Sequence, residues 1–302
     1  MGFVERHRSE IIVLIVLPIS LVIWCIRTLQ RWWRRPRPEQ HGARVARVAA
    51  AVRAKAQNGP VRTDRSVYES HSVRNADKTS AIQIPMRDLY AILGLSEDGR
   101  TLHVEPGATV GEVTRWLLSR ELQLECTLEM ADATLGGLAM ATGMTTHSHI
   151  CSLIHETIVE YEIVTATGDI ILAREDNEHA DLWRALPWSH GTLGLLTSLR
   201  LRVVPASPWV QLTYTPCASA SDLSVAYRAI LAQAERGDPE TPFFVEAIVF
   251  DCDRSVLMTG KLGENMQLLC VSVDFSSCMD AAHHRGCIFP PRPLSSSDCS
   301  KI

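Results

Sequence analysis

The hydrophobic pattern changes character near position 60. Ile11 to Ile26 reads IIVLIVLPISLVIWCI, sixteen residues without a charge, of which twelve are Leu, Ile or Val. At roughly 0.3 to 0.6 kcal/mol each near a bilayer centre, twelve such residues favour insertion by about 4 to 7 kcal/mol before Pro18 and the ends are discounted. The run is short for a hydrocarbon layer of about 30 Å, but Arg27 can snorkel, Leu29 extends it, and Trp32 and Trp33 suit the interface. A cleaved signal peptide and a buried core helix are the competing readings. Arg6 and Arg8 precede the run but the stronger cationic cluster follows it, so a retained single-pass anchor with the following chain on the cytoplasmic side is expected. Ala43 to Gln57, Ala-rich and strewn with cations, predicts a helix, either lying on anionic headgroups or serving as a solvated linker. Asn58-Gly59-Pro60 ends it.

From Pro60 onward short apolar runs alternate with helical stretches, the pattern of a mixed α and β domain. Ser80 to Pro85 alternates as a strand does, Met86 to Leu93 predicts a short helix, and Thr101 to Val104 another strand. Thr109 and Glu112 form a capping box opening a helix that runs to about Glu121, with Val113, Trp116, Leu117 and Arg120 at helical spacing. Ile158 to Ala173 predicts a hairpin around Thr167-Gly168-Asp169, Asp176 to Ala185 a helix, and Leu199 to Val203 a strand.

Composition narrows the classes. The 302 residues are 46% hydrophobic and 21% charged with a formal net charge of -4, which is globular, and no affinity for nucleic acid is expected. Positive charge is local: between positions 27 and 59 eight arginines and Lys55 face one acid, Glu39. Nine cysteines without a C-x-x-C pair suit a reducing compartment better than a disulfide framework. His147 and His149 lack further ligands at metal spacing, so no metal is expected. No G-x-S-x-G elbow supports a hydrolase. Trp183, Trp188 and Trp209 are expected in aromatic core or interface packing. Met140 and Met144, at i and i+4, are expected on one packed helix face.

The stretch richest in candidate chemistry is Asp132 to Thr146, DATLGGLAMATGMTT, followed by Pro187 to Leu195, PWSHGTLGL. Gly136 and Gly137 let a backbone approach a bulky anion, and the helical run after them would aim free N–H groups at it, the needs of a pyrophosphate site. A lone Gly-Gly is equally a structural turn, and neither a Rossmann fingerprint nor a P-loop is present.

Taken together, T-L-G-G-L, the following S-H, and P-W-S-x-G-T-L-G resemble the flavin domain of the Delta(24)-sterol reductases. Val104-Glu105-Pro106 with Gly111-Glu112-Val113-Thr114, Tyr161-Glu162-Ile163-Val164 with Gly168, and Pro242 to Gly260 extend the resemblance over roughly Val61 to Gly260. It implies an α+β fold: a two-lobed PCMH-type FAD-binding domain of the vanillyl-alcohol-oxidase superfamily, with an N-terminal transmembrane helix and a partial C-terminal cap. The implied division is an anchor and basic linker over 1–60, the FAD-binding domain over 61–206, the start of a substrate or cap domain over 207–264, and a divergent tail over 265–302.

The resemblance further implies an oxidoreductase of CH–CH groups that reduces the Delta(24) side-chain double bond of sterols, with non-covalent FAD and NADPH as electron donor. It places the chain at the endoplasmic reticulum membrane, with sterol and membrane lipid as partners. Carried over by position, Thr134, Leu135, Gly136, Gly137 and Gly143 match the flavin-binding loop and the helix after it. Gly191, Thr192 and Gly194 match the second flavin-facing turn, and Glu129 and His149 are the candidates to deliver or relay a proton. Ser152 stands where the family commonly has Gly, and His190 is a second departure. The segment Thr63-Asp64-Arg65-Ser66 lacks the Gly-Gly-His of covalently flavinylated relatives. The resemblance stops after about Glu264, so a chain truncated relative to the family, and inactive for that reason, is an expectation. The alternatives are another PCMH-type oxidoreductase, acting on an aldonolactone or a 2-hydroxy acid, and a non-catalytic membrane-anchored flavin-fold protein.

Overall fold

A computed structural model describes Glu5 and residues 7–64, 81–141, 143–251 and 254–263. The apolar N-terminal run is helical throughout: α1 (Arg8–Ile11), a π-helical stretch Ile12–Val16, and α2 (Leu17–Trp33). Pro18 has no N–H to give to the turn before it, which accounts for the wider pairing just upstream. The helix is long and apolar enough to cross a membrane, and none of its apolar stretch is buried.

A 3-10 turn, Pro38–Gln40, leads into α3 (His41–Lys55). This helix corrects the expectation of a solvated linker or a headgroup-lying helix. Val45, Val48, Ala49 and Val52 are at most 2% exposed and pack with Ile84, Leu89, Val164 and Leu195. They recur at i, i+3, i+4 and i+7, an apolar stripe that the interspersed arginines mask. Arg53 Nη2 donates to Gly168 O at 2.8 Å, and a Cβ on Gly168 would run into the Arg53 side chain.

Next come the short parallel pair β1 (Val61–Thr63) and β2 (Ile82–Ile84). The segment expected as a helix from Met86 is a turn leading into β3 (Ile92–Leu95). That strand pairs with β4 (Thr101–Val104). Helix α4 (Val110–Leu118) opens with the expected capping box and ends earlier than expected. Val113 and Leu117 are fully buried on its inner face, each contributing about 1.5 to 3 kcal/mol by burial.

The chain continues through β5 (Leu122–Leu124), α5 (Leu135–Met140) and α6 (Ser148–Cys151). The hairpin β6 (Ile158–Val164) and β7 (Ile170–Arg174) follows, turning at Gly168 with φ 84°. Then come α7 (Ala180–Ala185) and β8 (Leu195–Pro205). An antiparallel sheet of order β3-β4-β8-β6-β7 results, with β5 on the far end of β8. Register aligns Val104, Leu199, Tyr161 and Ala173 in one row, all buried, and His103, Arg200, Glu160 and Arg174 in the next. Alternation thus gives the sheet one apolar face in the core and one charged face.

The chain divides into two compact units, residues 1–145 with 151–206, and residues 146–150 with 207–302. In the second, β9 (Trp209–Cys217), α8 (Ala220–Glu235), β10 (Phe244–Asp251) and β11 (Arg254–Gly263) form a sheet of order β10-β11-β9 backed by the helix. Cys217, Val245 and Leu257 pack against Ile230 of α8. On the opposite face, register sets Val210 beside Leu262, Tyr214 beside Met258, and Ile248 beside Val256. Val210, Leu212, Tyr214 and Ile248 are 40 to 45% exposed there. The described residues are therefore a mixture of α and β, as expected, and the tail after Gly263 lies outside them.

Candidate functional site

Thr134, the residue before α5, takes an extended conformation, and Leu135 is fully buried beneath it. The N–H groups of Leu135 and Gly136 donate to Ala108 O and Pro106 O, each at 2.9 Å. These two donors are therefore not free for an anion, because the segment pairs with the turn before α4. Gly136 is required by that pairing: a Cβ there would collide with the Pro106 ring. Gly143 is similar, its missing side chain occupied by Ile154. Gly137 differs, since an added Cβ would meet only Thr134 Oγ1, at 3.0 Å.

The second glycine-bearing turn folds directly against α5. His190 N donates to Met140 O at 2.8 Å, so the two stretches picked out from sequence are brought together. Within the turn Ser189 O accepts from Thr192 N and from Thr192 Oγ1, the latter at 2.7 Å. Trp188, His190 and Gly191 all have positive φ, 64°, 51° and 75°, and two of these are not glycine, which stores backbone strain. The space around Gly191 is open, with nothing within 4 Å of an added Cβ, while Gly194 packs against Ile163 and Val164. Ser152 also has positive φ, 63°, in line with the glycine that the resemblance expects there.

The structure adds a residue that sequence reasoning passed over. The His155 ring sits edge-on to Trp188 at 5.9 Å between centroids, and its buried Nδ1 has no hydrogen-bond partner among the described residues. Burial lowers its pKa, favouring a neutral ring. An orphaned buried ring nitrogen is one that a bound polar group completes.

The two acid–base candidates belong to different units. Glu129, in the first, is exposed. His149, in the second, has Nε2 at 2.8 Å from Pro242 O. Its neighbour His147 is buried, stacked on Phe243 at 5.1 Å. No cluster of metal-binding side chains occurs among the described residues. The tryptophans divide: Trp183 packs on the core and donates Nε1 to Ile158 O, whereas Trp188 and Trp209 are 53% and 45% exposed, correcting the expectation of packed aromatics. Met144, 69% exposed, lies beyond the end of α5 and shares no packed face with Met140.

A groove of about 620 Å³ bordered by Glu156, Glu160, Asp176, Trp183, Arg200 and Arg202 is a poor anion site. Arg200 is held by Glu160 and Arg202 by Glu125, so its positive charge is already matched.

A buried ionic cluster ties α3 to the sheet. Glu105, fully buried, accepts through Oε1 from His41 Nδ1 and from Arg44 Nε and Nη2, and through Oε2 from Ala91 N at 2.7 Å. The other His41 nitrogen faces Glu162 Oε1 at 3.1 Å, and Thr197 Oγ1 donates to the same oxygen at 2.6 Å. Burial alone would lower the His41 pKa, but hydrogen bonds to the two carboxylates outweigh it and raise the value to about 9. His103, edge-on to His41, is lowered to about 4 by burial and by the Arg200 and His41 charges.

Residues 40–174 match the model of the FAD binding domain family. Residues 40–174, which include α5 but not the turn Pro187–Gly194, are therefore similar to an FAD-binding domain. That match starts at α3, consistent with the helix packing into the core rather than linking to it. The chain is similar to the Delta(24)-sterol reductases of Pisum sativum, 30% identical over 269 residues, and Arabidopsis thaliana, 31% over 265 residues. It is 29% identical over 272 residues to the Delta(24)-sterol reductase of Homo sapiens. These alignments cover 84 to 88% of this chain but 47 to 51% of those proteins, so the chain spans about half the length of the curated relatives it matches. The residues present fit the cofactor, given the open space at Gly191 and the orphaned His155 Nδ1.

Proposed function

We propose that this chain is an FAD-dependent oxidoreductase portion that reduces the Delta(24) double bond of a sterol with NADPH as the electron source, working at the endoplasmic reticulum membrane. The observation that carries the reading is the junction of α5, which lies in the stretch matching the FAD binding domain family, with the turn Pro187–Gly194, whose Gly191 is open, in a chain whose relatives are sterol reductases. Bound FAD supplies hydride chemistry that no side chain can. The chain's part is to bind and orient it: Gly137 and Gly191 admit the cofactor to the backbone, Thr134 and Thr192 border the two turns, and Gly136, Gly143, Gly194 and Leu135 hold them together by packing.

Reduction of an isolated alkene also needs a proton at the second carbon, and Glu129 and His149 are the candidates to provide or relay it. The apolar sheet face bearing Val210, Leu212 and Tyr214 supports an apolar substrate over an aldonolactone or a hydroxy acid. We take 61–206 together with α3 as the FAD-binding domain and 207–264 as the beginning of the substrate cap. The apolar helix Arg8–Arg31 supports a single-pass anchor with the catalytic part cytoplasmic. The test is turnover of a Delta(24) sterol with NADPH by the detergent-purified chain. Saturation of the side chain bears the reading out. Flavin reduction by a polar alcohol or acid in its place points to the related oxidoreductases, and bound flavin with neither reaction points to a non-catalytic form.

A further inference from the structure

The end of the apolar helix is not a free tether. Arg31, in the last turn of α2, donates Nε to Glu112 Oε1 at 2.5 Å and Nη2 to Glu112 Oε2 at 2.7 Å. The same Nη2 donates to Gly107 O at 2.8 Å. This is a two-pronged pair in which the planar guanidinium and the carboxylate fix each other's orientation. Glu112 is itself held, since its Oε2 also accepts from Thr109 N in the capping box of α4. The Arg31 guanidinium lies over the Tyr90 ring at 4.4 Å, and the Tyr90 hydroxyl donates to Arg34 O at 2.7 Å, with Arg31 O at 3.3 Å. Arg44, anchored on buried Glu105, donates Nη1 to Arg37 O at 3.0 Å. Three points along seven residues, at 31, 34 and 37, are thus bonded to the unit that carries the FAD-binding domain. Pro36 and Pro38 stiffen the connection further.

The side chains left outside this joint have one chemistry in common. Trp33 is 80% exposed, and Arg34, Arg35 and Arg37 are exposed immediately beyond the apolar helix. An amphipathic ring followed by three cations at the end of a hydrophobic span matches the headgroup layer of an anionic bilayer. We infer that Trp33 to Arg37 and the Arg31–Glu112–Tyr90 joint form a docking collar that holds the FAD-binding unit against anionic lipid in a fixed orientation. The inference rests on the anchor reading given above and adds that the junction is rigid and lipid-facing.

Trypsin reads the collar directly, because the Arg34–Arg35 bond is cleavable while Arg35–Pro36 and Arg37–Pro38 are not. The full chain is reconstituted in vesicles of phosphatidylcholine with or without phosphatidylserine, and flotation and the rate of the cut at Arg34 are measured. Each cation near an anionic surface is worth about fivefold in partition, so phosphatidylserine is expected to slow the cut by about tenfold or more, an effect lost in high salt. Tyr90→Phe, which keeps the ring, and Arg31→Gln are expected to speed it severalfold, in vesicles and in detergent, with flotation unchanged.

A cut equally fast with and without phosphatidylserine overturns the lipid-facing collar. Equal rates for the wild type and both variants in detergent overturn the rigid joint. A chain that does not float overturns the anchor reading and the collar with it, while the detergent comparison still decides the joint.

Discussion

The buried cluster around His41 predicts how stability depends on pH. Both ring nitrogens face carboxylates, Glu105 and Glu162, with Arg44, Thr197 and neutral His103 completing the surroundings. The folded-state pKa is raised from 6.5 to about 9, so His41 favours folding most strongly below pH 6.5, where it is protonated in both states. Between 6.5 and 9 only the folded state keeps its proton, and the advantage erodes as pH rises; above 9 it is gone. A rise of that size corresponds to about 3 kcal/mol, and His41 is only 14% exposed, so little of this is lost to solvent screening. For a unit of this size that is on the order of 5 to 10 °C in melting temperature.

The assay is a series of thermal melts, followed by tryptophan fluorescence, of the wild type and His41→Gln in detergent from pH 6 to 9.5. The wild type is expected to start well above the variant and to converge on it by pH 9.5. Parallel curves with a constant gap across the series would refute the reasoning.

Three further predictions concern the glycine turns and the strained backbone. Gly136→Ala is expected to destabilise the protein by about 1 to 3 kcal/mol through overpacking on Pro106, read by the same melts. Gly137→Ala meets only Thr134 Oγ1 and is expected to melt within about 1 kcal/mol of the wild type, yet to release FAD at lower dilution, measured by flavin fluorescence. Ser152→Gly relieves a positive φ of 63° and is expected to stabilise by about 1 kcal/mol in a melt.

Much of this fold was legible because it is written in local period. Thr101–Val104 alternates cleanly, the hairpin from Ile158 shows as two β-rich runs around Gly168, and Thr109 with Glu112 announces the start of α4. The stripe of Val45, Val48, Ala49 and Val52 was equally present, but the nine cations around it favoured a reading by charge over one by spacing. Met86 to Leu93 misled because a short apolar run does not tell helix from strand. The two glycine-bearing stretches are visible in the sequence, whereas their junction through Met140 O and His190 N depends on a pairing 50 residues apart. Likewise the donors of Leu135 and Gly136 were spoken for by a distant turn, and His41 found Glu105 across 64 residues. Neither local pattern nor composition encodes those partners.

The most direct measurement of the central claim is the visible absorbance of the detergent-purified 302-residue protein, with the released cofactor identified by mass. The account predicts a flavin spectrum and the mass of FAD, freed on denaturation without proteolysis. A folded, cooperatively melting and colourless protein that takes up no added FAD would contradict it.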